Sequence, residues 1–202
     1  MNHSIKSENI NFKLGDFLLE KKVLVTGHNG FKGSWLTLWL LMNGANVYGY
    51  SLPPLKHQTL FNDFFNREKR PKEMLGTLNH KIGDINDFET LSNYVNETNP
   101  DLVFHLAAQP LVQKSFSHPI ETWQTNVIGS LNLLESLKLI NKKCAAVFIT
   151  TDKVYENKEW EYGYRENDVI GGKDPYSSSK AAMELAVSSW RESFCGFDPH
   201  QT

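Results

Sequence analysis

Short apolar runs alternate along this chain with longer amphipathic ones, and glycines or prolines punctuate the joins. Lys22-Val-Leu-Val-Thr26 is a β-rich run ending directly in glycine, the pattern of a strand buried on both faces of a parallel sheet. Phe31 to Asn43 has helical length and closes at Gly44, a residue suited to a helix C-terminus. Ala45 to Tyr50 reads as a second strand, ended by Ser51-Leu-Pro-Pro54. Leu55 to Lys81 is less regular: it predicts a short helix around Gln58 to Phe65, a loop, and a third strand centred on Ile82 that leads to Gly83-Asp84. A helix over Asp87 to Thr98 stops at Asn99-Pro100, and Asp101 to Leu106 is a fourth strand. Thr122 to Ile140 reads as one long helix and Cys144 to Thr150 as a fifth strand. Asp174-Pro175 has the form of an N-cap with proline at the first helical position, launching a helix to about Phe194.

Alternation of strand and helix implies an α/β fold, a doubly wound parallel sheet with right-handed crossovers. One domain is expected over residues 21–202, after a polar extension of residues 1–20. Ligands of such sheets bind beyond the carboxyl ends of the strands. Gly27 to Gly33, Asp84, Ala107-Ala-Gln109 and Thr151-Asp-Lys153 all fall there. Trp35 and Trp39, one helical turn apart, are expected in the core.

Composition narrows the classes. With 202 residues, 40% of them hydrophobic, the chain can bury a real core. A formal net charge of −2 leaves no electrostatic footprint for nucleic acid, and Arg67-Glu-Lys-Arg-Pro-Lys72 reads as a solvated loop. Cys144 and Cys195 lack metal-ligand spacing and suit a reducing compartment, and the seven histidines are scattered, so no metal site is expected. Met1 to Glu20 has no apolar signal core, and the longest apolar stretch, Trp35 to Met42, falls short of the ~20 residues a membrane span needs. A soluble cytoplasmic protein, without nucleic-acid or membrane partners, is the expectation.

Tyr176-Ser-Ser-Ser-Lys180 places a phenol and an ammonium on one helix face, where the positive charge favours the phenolate. Such a pair can take a proton from an alcohol while a nicotinamide takes the hydride. Gly27, Gly30 and Gly33, between a strand and a helix, suit a tight turn, close backbone approach to a pyrophosphate, and helix amides facing that anion. A P-loop is excluded by spacing, since Lys32 stands where its second glycine is required. The acidic residue that would hold a ribose at the end of the second strand is missing, the chain reading Tyr50-Ser51-Leu52, and no arginine replaces it. NAD is expected over NADP. Asp84 is open to two readings, a contact to the adenine region or a solvated turn aspartate. Asn126 is either an organiser of water near Lys180 or an ordinary helical asparagine.

Taken together, Thr26-Gly-x-x-Gly-Phe-x-Gly33, His105-Leu-Ala-Ala-Gln109, Thr125-Asn126, Thr151-Asp152 and Tyr176-x-x-x-Lys180 resemble the extended short-chain dehydrogenase/reductase family. Gly30-Phe-Lys-Gly-Ser-Trp35, Thr150-Thr-Asp-Lys-Val-Tyr-Glu-Asn157, Glu159-Trp160 and Gly163-Tyr-Arg-Glu166 are similar to its CDP-glucose 4,6-dehydratase branch. The resemblance implies a Rossmann domain binding NAD through Gly27, Asn29, Gly30, Phe31, Lys32, Gly33, Asp84, Ile85, Leu106, Ala107, Ala108, Asn126, Thr150, Tyr176 and Lys180. It implies CDP-glucose as substrate, a homodimer through the Thr122–Ile140 and Pro175–Phe194 helices, and three chemical steps. Tyr176 takes the O4 proton, with Thr151 beside O4 and Lys180 lowering the tyrosine pKa and holding the ribose. Asp152 protonates the departing 6-hydroxyl, and Lys153 is the base at C5. The family continues into a C-terminal substrate domain missing from this chain, so a chain ending at Thr202 is expected not to convert CDP-glucose by itself. A nucleotide-sugar 4-epimerase and an inactive truncated nucleotide-binding module are the alternatives. Asp152-Lys153 favours the dehydratase, because an epimerase has no leaving hydroxyl to protonate.

Overall fold

The computed structural model describes residues 14–55, 59–65 and 74–195. At its centre β1 (Lys22–Thr26) pairs in parallel with β2 (Asn46–Ser51) on one side and β4 (Leu102–His105) on the other. The outer strands β3 (Leu78–Ile82) and β5 (Ala145–Phe148) complete an all-parallel sheet of order β3-β2-β1-β4-β5. Strand side chains alternate between faces, and β1 shows the result. Leu24 packs with Tyr50, Leu91, Val95, Val103 and Leu133 in one cluster, under α4 (Phe88–Thr98) and α7 (Gly129–Leu137). Val23 and Val25 join Leu40, Leu41, Ala45 and Val47 in the other, under α2 (Phe31–Met42). The doubly wound architecture expected from the alternating pattern is therefore present.

The expected helices and strands fall within a few residues of their predicted bounds, with instructive exceptions. Leu14–Leu18 is a short helix, α1, whose Leu18 is buried against the α2 cluster, although the segment reads as polar extension. Trp35 and Trp39 are 53% and 42% exposed, not core. They share an outward stripe with Phe31 and Met42, while Thr37, Leu38, Leu40 and Leu41 face inward. Spacing of i and i+4 gives a common face but not which face is buried. Ile82, read as the heart of β3, is its last residue and is exposed. The helix Thr59–Phe65 (α3) is present where expected, whereas Arg67 to Lys72 lies outside the described residues.

Thr122 to Ile140 is not one α-helix. After α5 (Val112–Ser117) come α6 (Pro119–Trp123), a π-helical turn over Gln124–Ile128, and then α7. A π turn re-aims side chains inside a helix and is frequent at functional sites. Here it turns Asn126 fully inward. The helix α8 (Pro175–Phe194) follows its predicted bounds, with the Asp174 carboxylate accepting from Ser177 N at 3.0 Å and from the Ser177 hydroxyl. Of the apolar residues on these two helices, Met183 is fully buried, and Leu137 and Ile140 are partly buried against the sheet core. Among the described residues no helix is long and apolar enough to cross a membrane.

Two buried histidines tie the fold to pH. His28 contacts Ser51 Oγ through Nδ1 at 3.0 Å, and its buried Nε2 has no hydrogen-bond partner among the described residues. Burial, with the neighbouring His80, holds its pKa down at about 4. His105 bonds Thr26 Oγ1 at 2.7 Å and Ser130 Oγ at 2.8 Å, and burial, with Lys180, holds it down at about 3. Both folded-state values lie below the ordinary 6.5, so the unfolded chain binds more protons at acid pH. Stability is complete above pH 6.5 and declines as pH falls toward 4. Denaturant unfolding of the chain across this range is expected to show uptake of about two protons near pH 5, and His28→Gln to remove about one of them. A pH-independent unfolding free energy between pH 7 and 5 counts against this linkage.

Candidate active site

The turn after β1 is built from contacts only glycine permits. Gly27 has φ +70° and donates its N–H to Tyr50 O at 2.8 Å; a Cβ there would lie 2.7 Å from Ala107 N. A Cβ on Gly33 would lie 2.0 Å from the Gly27 carbonyl oxygen, which holds the start of α2 against the turn. Gly30 is the N-cap of α2 and supplies no side-chain cap, so amides of the first turn are left to an anion. These are the features a dinucleotide pyrophosphate requires, and the residues fit it. Phe31 and Lys32 are exposed at the helix start. Asn29 is buried, with Nδ2 donating to Leu52 O at 2.7 Å, so it pins the turn to the end of β2.

At that strand end Ser51 is buried and engaged with His28. The place of the missing acid is thus filled by a neutral pair. Asp84 is exposed, and its Oδ1 accepts from Asn86 N at 2.9 Å and Nδ2 at 3.1 Å, a closed turn motif. Its backbone carbonyl accepts from the Tyr50 hydroxyl at 3.0 Å, and Ile85 is buried beside it. Beyond β4, Leu106, Ala107 and Ala108 run half-buried across the glycine turn, with Leu106 N donating to Thr26 O at 3.0 Å.

Asn126 settles between its two readings by its bonds. Its Oδ1 accepts from Gln109 N at 2.8 Å, and Nδ2 donates to Gln109 O at 3.2 Å and Ser179 Oγ at 2.9 Å. Both amide protons are committed to protein, so it clamps the β4 loop to α8. Gln109 extends the clamp, its Nε2 donating to Thr122 Oγ1 at 2.9 Å.

The residues leaving β5 meet α8 side by side. Lys180 is buried, its Nζ donating to Ile149 O at 3.0 Å, and burial lowers its pKa to about 8 against the opposing charge of Glu184. Thr150 donates its hydroxyl to Glu184. Thr151 Oγ1 donates to Asp152 Oδ1 at 3.0 Å and accepts from Lys153 N, capping a 3₁₀ turn over Asp152–Val154. Tyr176 is half-buried against this corner. Burial holds its phenol above the ordinary value; a hydrogen bond with Thr151 opposes this, and the Asp174 and Asp152 carboxylates add to it. The expected lowering by Lys180 is corrected on this point, because its ammonium is turned to the Ile149 carbonyl.

Asp152 and Lys153 are exposed and line a cavity of about 370 Å³ together with Tyr155, Asn157, Tyr164 and Lys173. Its outer wall is an excursion that the sequence reading left without structure. Tyr155 bridges Ile170 in antiparallel fashion, and Glu156 N donates to Val169 O at 2.8 Å. Tyr155 and Tyr164 stack with ring centroids 5.1 Å apart, and Trp160 tilts onto Tyr164. Another cavity of about 370 Å³, near Asp101 and Cys144, lies at the opposite end of the strands and holds none of these residues. Among the described residues no group of three or more His, Cys, Asp or Glu side chains is placed to hold a metal ion. The site residues missed from sequence are Glu184, Tyr164 and Lys173. Glu184 left a signal, standing four residues after Lys180 and eight after Tyr176, and Tyr164 lies within the Gly163-Tyr-Arg-Glu166 motif.

Known proteins resemble this chain in sequence and in fold. The CDP-glucose 4,6-dehydratase of Salmonella typhimurium is 48% identical over 184 residues, covering 91% of this chain and 48% of that protein. The dTDP-glucose 4,6-dehydratase of Haemophilus influenzae is 30% identical, covering 85% of this chain and 52% of that one. The chain thus spans about half the length of the curated relatives it matches. A solved UDP-glucose 4-epimerase of Thermus thermophilus in complex with NAD superposes with a TM-score of 0.67 at 30% identity, covering 86% of this chain and 52% of that one. The family described as GDP-mannose 4,6 dehydratase has a model matching residues 24–197, from within β1 to beyond the end of α8. On that match the chain belongs to this family, among the extended short-chain dehydrogenases/reductases.

Proposed function

We propose that this chain carries the cofactor-binding and catalytic part of an NAD-dependent 4,6-dehydratase acting on CDP-glucose. The observation that carries the reading is the meeting of Thr151, Tyr176 and Lys180 at the carboxyl end of the sheet, with Asp152 and Lys153 on the adjoining cavity. The 48% identity to the Salmonella CDP-glucose 4,6-dehydratase supports the nucleotide and the sugar.

Residues of the glycine turn, Gly27 to Gly33, would hold NAD, which would supply the hydride acceptor for C4 and the hydride returned at C6. Tyr176 receives the O4 proton, with the Thr151 hydroxyl hydrogen-bonded at its oxygen. The C4 ketone so formed makes the C5 proton acidic. Lys153 takes that proton, Asp152 gives one to the 6-hydroxyl, and water departs across C5–C6. A proton returned to C5 completes the 4-keto-6-deoxy sugar. A lysine base has to be neutral when it acts. The epimerase reading is weaker because it leaves Asp152 and Lys153 without a task at the cavity.

NAD binding is tested on the chain itself by calorimetric titration, and turnover on CDP-glucose with this segment exchanged into its matched position in the Salmonella enzyme. Tyr176→Phe is expected to lower turnover about 10²- to 10⁴-fold while NAD affinity changes by only a few-fold, because the variant loses a proton acceptor and leaves the glycine turn intact. Normal turnover of that variant removes Tyr176 as the base. Lys153→Met is expected to leave C4 oxidation, read as absorbance of reduced nicotinamide in a single turnover, while solvent deuterium entry at C5 falls about 10²-fold or more. Deuterium entry at the wild-type rate makes Lys153 a structural residue.

We also propose a homodimer through α6, the π turn and α8. Ile120, Trp123, Ile128, Leu185 and Phe194 are the large apolar residues these helices leave exposed, and a two-fold axis pairs such a surface with itself. Sedimentation equilibrium is expected to give twice the chain mass, and Leu185→Arg to shift it toward monomer. A monomeric wild type at high concentration overturns the assignment.

A further inference from the structure

Three consecutive residues leaving β5 are gripped by three residues spaced four apart on α8. Lys180 Nζ donates to the Ile149 carbonyl at 3.0 Å, the Thr150 hydroxyl donates to Glu184, and Thr151 lies close enough to Tyr176 to act on its phenol. Positions 176, 180 and 184 share one face of the helix, so one face of α8 holds this stretch of chain. Glu184 serves two neighbours, one through a hydrogen bond and the other through charge.

Few charges are placed to act on Lys180. It is 3% exposed, and burial disfavours its ammonium. From β4 it faces His105, kept neutral by its own burial. On the elements packed against α8, Lys114 pairs with Glu121 and Lys138 with Glu135, at the surface. Asp152 and Lys153 lie exposed on the 3₁₀ turn, and Asp174 is held at the helix start by Ser177. Glu184 is the group whose charge raises the pKa of Lys180 back toward its ordinary value.

We propose that Glu184 is a positioning residue of this site: its carboxylate keeps Lys180 charged in place and fixes Thr150, so that Thr151 is presented to Tyr176. The importance of this for turnover rests on the proposed dehydratase reading; the ionisation of Lys180 does not. The test is a pH titration of the chain carrying lysine labelled with ¹³C at Cε, the Lys180 signal being assigned by its loss in Lys180→Arg. In the wild type that signal is expected to titrate near pH 8, and in Glu184→Gln about one pH unit or more lower. The glutamine keeps an acceptor for Thr150, so the fold is expected to hold. An unchanged Lys180 titration in Glu184→Gln overturns the proposal. Should that variant fail to fold, Glu184→Asp, which withdraws the carboxylate by one methylene, is read instead: a partial downward shift supports the role and a wild-type titration overturns it. Loss of NAD binding by the wild-type chain, with the shift present, counts against the proposed function and leaves the role of Glu184 standing.

Discussion

A run of buried hydrogen bonds joins the two halves of the site, and the rest of the cleft depends on it. It starts at Thr26 Oγ1 on the last residue of β1, 2.7 Å from His105 Nδ1 on β4. His105 Nε2 lies 2.8 Å from Ser130 Oγ, which bonds the Asn126 carbonyl at 2.7 Å. Asn126 Nδ2 reaches Ser179 Oγ, and that hydroxyl donates to the backbone oxygen of Tyr176 at 2.7 Å. Ser130 gives its proton to Asn126 O, so it accepts from His105, which fixes the Nε2–H tautomer by the network. Each member is buried, and each would cost about 1–3 kcal/mol if left unpaired. The chain of bonds therefore couples the turn that precedes α2 to the helix that carries Tyr176 and Lys180.

That network explains why the sheet was easier to read from sequence than the helix beside it. β1 and α8 announce themselves through local chemistry: a β-branched run stopping at Gly27, and Asp174-Pro175 as cap and first turn. The π turn at Gln124–Ile128 has no such signature, because the demand for it is tertiary. Asn126 must face Gln109 and Ser179 at once, and an extra residue in one turn achieves that. Trp35 and Trp39 failed for a related reason, since apolar residues occupy both faces of α2 and periodicity does not choose between them. Leu18 entered the core from a segment whose average composition is polar, where a single buried side chain leaves little trace.

The site itself was legible where one side chain does one thing. Gly27 and Gly33 are required by close backbone approaches, and Tyr176 and Lys180 by one helix face, all of which spacing encodes. It was illegible where a residue's role is set by its partners. Asp84 and Asn126 were each open to two readings, and the structure ties Asp84 Oδ1 to Asn86 and the Asn126 amide to Gln109 and Ser179. Lys180 looked like the cation beside Tyr176, yet its ammonium is directed to Ile149. Ser51 looked like a gap in the cofactor pattern, and its burial against His28 shows a hydroxyl and an imidazole packed into that corner.

Burial divides the proposed chemistry into two environments. Lys180 and the network behind Tyr176 are held in protein, where electrostatic interactions are strong and geometry is set before substrate arrives. Asp152 and Lys153 stand on a short 3₁₀ turn at the edge of a cavity, in contact with water. A carboxylate and an ammonium in water are weak as general acid and base, and they gain strength once a bound sugar covers them. On the proposed reading, oxidation at C4 uses a prebuilt apparatus, whereas elimination uses one that substrate completes. The order of the steps agrees with this: the C5 base has nothing to abstract until the ketone exists, so it has no need to be assembled sooner. It also places freedom to vary at the cavity wall, on Tyr155, Asn157, Tyr164 and Lys173, where a change of side chain leaves the Thr26-to-Tyr176 bonds untouched.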